Sequence, residues 1–305
     1  MTRPARIALT GATGFVGQAV LDEAERRGLA LRALARRPQE PREGVEWIQG
    51  DLGDVAALQE LVAGADGVLH IAGVVNAPGW DGFEAGNVTG TGHVVEAMKA
   101  AGVERLIHVS SLSAREPGLS NYGRSKRLGE QLVEASGLDW TIVRPPAIYG
   151  PRDREILEVF KTAKSGFVPM PPRGRASVIH VEDLARLLLD LVAADIAIGR
   201  IYEVDDGRPG GWSHEELARS IGKALGKRVI VAHMPSTLLH IGARIDELVR
   251  GKRAKLTVDR AGYMAHRDWT VRSAHKVPAD VWSPRIELQD GMRATAAWYR
   301  ERGWI

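Results

Sequence analysis

The 305-residue chain contains no cysteine, which removes disulfides, thiolate nucleophiles, cysteine-based zinc sites and thiol redox switching together. That composition fits a reducing compartment, and a soluble cytoplasmic protein is expected. No uninterrupted apolar run approaches the ~20 residues of a membrane helix. The opening MTRPARIALTGATG reaches only a short apolar run before its first glycine, so no signal-peptide core is expected, and no membrane partner. An excess of charge of one sign is also missing. Forty-one Lys and Arg face 38 Asp and Glu, a formal +3, and the bases are scattered without a tract or an RNA-binding aromatic motif. A nucleic-acid partner is therefore not expected. No group of side chains has metal-ligand spacing, and no metal is expected. The largest local basic excess lies between Arg144 and Arg175, which suits an anionic small molecule.

What is present is enough for a sizeable core. Hydrophobic residues make up 44% and charged residues 26%, ordinary for a globular protein, and the length fits one large or two unequal α/β domains. Short β-branched or Leu-rich runs alternate with helical periods. Strands are predicted at Arg6–Leu9, Leu31–Ala35, Val45–Ile48, Gly67–Ile71, Arg105–Val109 and Trp140–Val143. Helices are predicted at about Phe15–Arg27, Val55–Leu61, Gly90–Ala101 and Tyr122–Glu134. This alternation predicts an α/β doubly wound parallel sheet of the Rossmann type, with ligands at the carboxyl ends of the strands.

After Arg144 proline-rich stretches read as long loops around a helix at Arg154–Lys164. A helix near Val181 and a strand near Ile201 return to the first domain. Ser213 and Glu216 form a capping box. The expected division is 1–150 with 176–205 as the dinucleotide-binding domain, and 151–175 with 206–305 as a smaller substrate-binding lobe.

The first chemical motif is TGATGFVG, where Gly11, Gly14 and Gly17, with Phe15 and Val16 between them, sit between a strand and a helix. Such glycines let the backbone approach a pyrophosphate held at the helix start. An NAD site usually carries a carboxylate after the second strand, but here LARRP puts Arg36 and Arg37 in reach of a 2′-phosphate. NADP(H) is therefore favoured over NAD(H). Asp51 and Leu52 follow the third strand, suited to the adenine amino group and ring. Ala72 and Gly73, in IAG, bring backbone close to the cofactor, and His70 before them reads as a core residue. HVSS sets Ser110 and Ser111 at the carboxyl edge of the fifth strand, and Tyr122-x-x-x-Lys126 follows on one helix face. A phenol is a poor base at neutral pH, but an ammonium and a cationic nicotinamide both favour phenolate, and a serine hydroxyl can hold the substrate oxygen.

These pieces, with NVTGT (Asn87–Thr91), YGRSK and Glu130, RPPAIYGP (Arg144–Pro151), IHVEDLA (Ile179–Ala185) and the closing DGMRATAAWYRERGW, resemble the extended short-chain dehydrogenase/reductase family, also called the NAD-dependent epimerase/dehydratase family. They run in family order from residue 10 nearly to the end. The resemblance implies Tyr122 as general acid/base, Lys126 as its tuner and ribose ligand, and Ser111 as donor to the substrate oxygen. It further implies Asn87 near the nicotinamide, and Pro145 and Ala147 lining its pocket. A homodimer packed through two helices is common in the family, and the oligomeric state stays open.

Departures narrow the chemistry. Sugar dehydratases of the family have an Asp-Glu pair where Leu112 and Ser113 stand here, so dehydration is disfavoured. Nucleotide-sugar epimerases usually place an arginine at the position of Ala176, with Arg175 here one residue off. The pocket wall is expected from loops that include Val74, Ser113, Tyr149, Arg152 and Arg175, with Arg154 and Arg173 as surface arginines, and Trp80 and Trp212 read as packing residues. The expected function is NAD(P)-dependent hydride transfer at a secondary alcohol or carbonyl of a small molecule. The alternatives are a nucleotide-sugar epimerase with retained cofactor and a non-catalytic NADP(H)-binding scaffold.

Overall fold

The computed structural model describes residues 6–251, 254 and 256–305; the first five residues, part of the leader reading above, and Lys252, Arg253 and Lys255 lie outside the described residues. In chain order the first elements are β1 (Arg6–Thr10), α1 (Phe15–Arg26), β2 (Ala30–Ala35), β3 (Val45–Gln49), α2 (Val55–Val62) and β4 (Gly67–His70). Then come α3 (Trp80–Glu84), a π-helical turn at Ala85–Thr89, α4 (Gly90–Ala101), β5 (Arg105–Val109), α5 (Asn121–Glu134) and β6 (Asp139–Arg144). Local chemistry explains several of these ends. The Asp54 carboxylate accepts from the Ala57 N–H to cap α2, Ser120 does the same for Gly123 at α5, and α4 stops at Gly102 with φ 66°, where a side chain would be strained.

Further along lie β7 (Ala147–Tyr149), α6 (Glu155–Lys164), β8 (Phe167–Met170), β9 (Arg175–Ala176), β10 (Val178–His180), α7 (Val181–Val192) and β11 (Arg200–Glu203). The chain closes with β12 (Trp212–Ser213), α8 (His214–Ala224), β13 (Ile230–His233), α9 (Ser236–Arg250), α10 (Val258–Met264), β14 (Asp268–Trp269) and α11 (Leu288–Glu301). The Ser213–Glu216 capping box opens α8.

The seven-stranded sheet has the order β11-β6-β5-β4-β1-β2-β3, with parallel pairing from β3 through β6. The chain runs outward from β1 through β3, then reverses to β4 on the other side of β1. The switch point is therefore the gap between the carboxyl ends of β1 and β4, the place such a sheet offers a ligand. Strand β5 is buried along its whole length, so RLIHV need not alternate. Its Arg105 reaches carbonyls of Leu191 and Asp139 at 2.5 and 2.8 Å. One core, with Leu58, Leu61, Met98 and Leu106 at its centre, fills the face toward α2 and α4.

Two compact units divide the chain: Met1–Arg144 with Leu184–Tyr202 and Val277–Trp282, and Pro145–Asp183 with Glu203–Lys276 and Ser283–Ile305. The expected boundaries at 150, 175 and 205 differ from these because β10 pairs in parallel with β7 in a small sheet of their own. Residues 176–183 therefore go with the second unit. That unit has a separate core of Tyr149, Phe160, Met292 and Tyr299. The segment read as long loops also holds short strands, β8 pairing with β13 and β9 with β12 and β14. Two- to four-residue strands carry too little alternation to read from sequence.

Candidate active site

Residues at the carboxyl ends of β1 and β4 meet as the topology demands. Gly11 has φ +76°, and a Cβ there would lie 2.7 Å from the Ala72 backbone N, so both conformation and closeness require glycine. At Gly17 an added Cβ would collide with the Gly11 carbonyl oxygen. Helix α1 starts at Gly14 without a side-chain cap, which leaves its first N–H groups facing the turn. A bare helix start beside close-packed glycines fits a dinucleotide pyrophosphate.

Beyond β2 and β3 a cleft of ≈ 380 Å³ is lined by Arg36, Gln49, Gly50, Asp51 and Asp54. Arg36 and Arg37 are exposed, and among the described residues neither guanidinium has a protein partner. Asp51 Oδ1 accepts from the Gly53 N–H at 2.7 Å, and Leu52 packs on the core.

Past the end of β5, Ser111 Oγ accepts from the Ser113 N–H at 3.1 Å and is hydrogen-bonded to the Tyr122 hydroxyl. Ser110 is buried. Lys126, one turn further along α5, is 5% exposed, and its Nζ donates to the Val109 carbonyl at 2.8 Å. Burial draws this ammonium down to about 8, with Glu130 acting in the opposite sense. Loss of solvent lifts the Tyr122 phenol above its ordinary value, against the pull of the Ser111 hydroxyl. The expectation that Lys126 draws the phenol down is thus not met by the chain alone; desolvation outweighs everything acting against it.

The Asn87 amide is fully committed. Its Oδ1 accepts from the Val74 N–H at 2.7 Å, and its Nδ2 donates to the Val74 carbonyl at 2.8 Å and to Ser125 Oγ at 2.9 Å. The π-helical turn around it runs from Ala85 to Thr89, a feature frequent at functional sites. A Cβ at Gly73 would be 2.9 Å from Asn87 Oδ1 and 3.7 Å from Lys126 Nζ, so these three meet. Ser125, which also donates to the Tyr122 carbonyl at 2.8 Å, was not anticipated; its place inside YGRSK was the available signal.

Beneath lies a polar row. His70 bonds Thr10 Oγ1 at 2.7 Å and Thr91 Oγ1 at 3.0 Å, and the His108 ring sits 5.2 Å from it. Burial holds His70 down to about 3 and His108 well below its usual range, with Lys126 adding repulsion. The Glu130 carboxylate takes two bonds from Arg144, both 2.7 Å. Burial alone would raise Glu130, and Arg144, with Ser110 and Arg127 acting in the same sense, more than reverses it.

The remaining candidates divide. Val74 is held by Asn87, and Ser113 is buried. In the second unit Tyr149 is 1% exposed, its hydroxyl unpartnered among the described residues, and packed edge-on to His180, which makes it core rather than pocket wall. Arg175 donates to the Gly210 and Gly211 carbonyls at 2.6 and 2.8 Å, so its guanidinium fastens a turn. Arg152 has φ 74°, Pro145 is buried and Ala147 exposed. Trp80 lies 4.4 Å from the Arg124 guanidinium, and Trp212 donates to Asp206 at 2.7 Å; both are engaged within the fold. Among the described residues no group of His, Asp and Glu could hold a metal.

Residues 11–195 match a family model described as NAD(P)H-binding. Over 98% of this chain and 96% of the other, the sequence is 38% identical to the ceramide reductase of Caulobacter vibrioides. It is 28% identical to the 2-alkyl-3-oxoalkanoate reductase of Stenotrophomonas maltophilia, over 96% and 98%. The structure of MoeE5 in complex with UDP-glucose and NAD superposes with a TM-score of 0.74 at 23% identity, covering 98% and 99% of the two chains.

Proposed function

The chain belongs to the extended short-chain dehydrogenase/reductase superfamily of NAD(P)-binding oxidoreductases and epimerases, and we propose that within it the chain is an NADPH-dependent reductase of a ketone carried on a long aliphatic chain. The observation that carries the reading is the Ser111 hydroxyl bonded to the Tyr122 phenol above a buried Lys126. Ser111 receives the carbonyl oxygen and Tyr122 gives that oxygen its proton. A phenol raised by burial keeps its proton at neutral pH, which suits an acid in the reducing direction. Lys126 and the backbone at Ala72–Gly73 hold the nicotinamide end, Gly11–Gly17 the pyrophosphate and Asp51 the adenine. A bound nicotinamide supplies the hydride. Arg36 and Arg37 take the 2′-phosphate, a role supported by guanidinium groups without a partner among the described residues and by the absence of an acid between Arg36 and Gln39.

The substrate class rests on kinship. A ceramide reductase and a 2-alkyl-3-oxoalkanoate reductase are relatives over nearly the full length, and both names denote acyl or alkyl compounds. Leu112 and Ser113, in place of an acid pair, leave no group to eliminate water. The test is nicotinamide absorbance with NADPH and NADH against long-chain β-keto amides, β-keto acids and UDP-sugars. Oxidation of NADPH by a β-keto amphiphile, reduced ~10²–10⁴-fold in Tyr122→Phe, is the expected result. Epimerisation of a UDP-sugar without net nicotinamide change, or turnover untouched in Tyr122→Phe, would overturn it.

A further inference from the structure

Helix α9 turns an apolar stripe to solvent. Leu238, Ile241, Ile245, Leu248 and Val249 are all exposed, from 53% at Ile241 to 87% at Leu248. Their spacing of three, four, three and one places them within a ~100° arc of a helix with 3.6 residues per turn. The other face of α9 is already used: Leu239 and Ala243 pack with Ala261 of α10 in a small core with Met234, Leu256 and Met264 around it. The stripe is thus a second apolar face on a helix whose first face makes the fold.

The segment that ends the helix is also basic in sequence. Over residues 244–255 the sequence has five bases, Arg244, Arg250, Lys252, Arg253 and Lys255, and two acids, Asp246 and Glu247. That excess of three equals the formal charge of the whole chain. Asp246 Oδ2 accepts from the Leu256 N–H and Glu247 Oε1 from the Val258 N–H, each at 2.9 Å, and Asp246 Oδ1 pairs with Arg250 Nε at 3.2 Å. Arg244 beside the stripe is exposed.

We propose that α9 lies on the surface of an anionic lipid bilayer, its five aliphatic side chains entering the acyl boundary and Arg244 beside them meeting the headgroups. An exposed aliphatic arc on a helix in a basic segment suits an interfacial position. A second copy of the chain is a poorer occupant, since two such faces would bring like charges together, and five side chains fall short of the ~800 Å² per partner of a stable interface. The absence of a membrane partner was expected from the lack of spanning segments. Among the described residues no helix is long and apolar enough to cross, but an in-plane helix has no such length requirement. The inference rests on the ketone reading only in its purpose: a reductase of a long-chain amphiphile meets its substrate where the substrate resides.

The test is co-sedimentation of the full chain, without nucleotide, with phosphatidylcholine vesicles and with mixed phosphatidylcholine/phosphatidylglycerol vesicles. The protein should partition onto the mixed vesicles about tenfold more strongly, an advantage that fades with salt. The triple variant Ile241→Ser, Ile245→Ser, Leu248→Ser should lower the partition coefficient on the order of a hundredfold, while Arg244→Glu should weaken only the phosphatidylglycerol-dependent part. A far-ultraviolet circular dichroism spectrum and a thermal transition of the triple variant that match those of the parent show that it is folded. No binding by the unaltered protein, equal binding by the triple variant, or a dimer that the triple variant dissociates without any vesicle affinity would each overturn the proposal. Vesicle binding is read without substrate, so it stands or falls apart from the ketone reading.

Discussion

Lys126→Met removes a buried ammonium while keeping most of the side chain's length, so it separates what this lysine does for activity from what it does to stability. A lysine drawn from 10.5 to about 8 by burial costs roughly 3 kcal/mol of folding free energy near pH 7, because each pKa unit is ~1.4 kcal/mol. Methionine removes that penalty, but the Val109 carbonyl loses its donor at 2.8 Å, a loss of about 1 kcal/mol. The net expectation is a variant more stable by about 1–2 kcal/mol near neutral pH, with its melting temperature up by roughly 2–6 °C and its reductase activity nearly gone. The pH dependence gives the sharper check. Between about 8 and 10.5 the unfolded chain keeps a proton on residue 126 that the native state has released, so the parent protein gains stability as pH rises through that window. The advantage of the variant should be full below pH ~8 and shrink toward pH ~10. Urea unfolding of both proteins without nucleotide, followed by tryptophan fluorescence at several pH values, measures the difference directly. A difference that stays flat across the window, or a variant less stable at neutral pH, would refute the claim that this ammonium is held in the fold against its solvation.

Other perturbations follow from the same geometry. Arg36→Ala and Arg37→Ala should together raise the KM for NADPH about tenfold or more relative to NADH, the loss of a charge-assisted bond to phosphate; unchanged cofactor selectivity in steady-state kinetics would remove the 2′-phosphate role. Glu130→Gln leaves Arg144 without its carboxylate in a buried place and should lower unfolding free energy by about 3–5 kcal/mol. Since the Glu130 carboxyl is held below its ordinary value, the parent's advantage should be full above pH ~4.3 and disappear as pH falls through the lower native value, a trend that denaturation at acid pH reads. His108, with both ring nitrogens unpartnered among the described residues and its pKa depressed by burial and by Lys126, destabilises the fold as pH drops below ~6.5. His108→Leu should therefore match or exceed the parent at neutral pH and show a shallower loss toward acid.

The repeated unit of short apolar strand and helix was legible because each element carries its own period and its own cap. Strand Arg105–Val109 and helix Gly90–Ala101 have the predicted limits. TGATGFVG and Tyr122-x-x-x-Lys126 were legible for the same reason, since a turn that needs glycine and a helix face are local properties of the chain. What tertiary structure alone decided are matters of partners distant in sequence. Lys126 meets the Val109 carbonyl, and burial lifts the Tyr122 phenol. Arg175 closes on a turn 35 residues away, and Tyr149 disappears into the second core. Solvation depends on what covers a group, and cover comes from the whole fold. Helix α9 makes the same point from the outside: its sequence is apolar on two faces, and only the position of α10 determines which of them faces water.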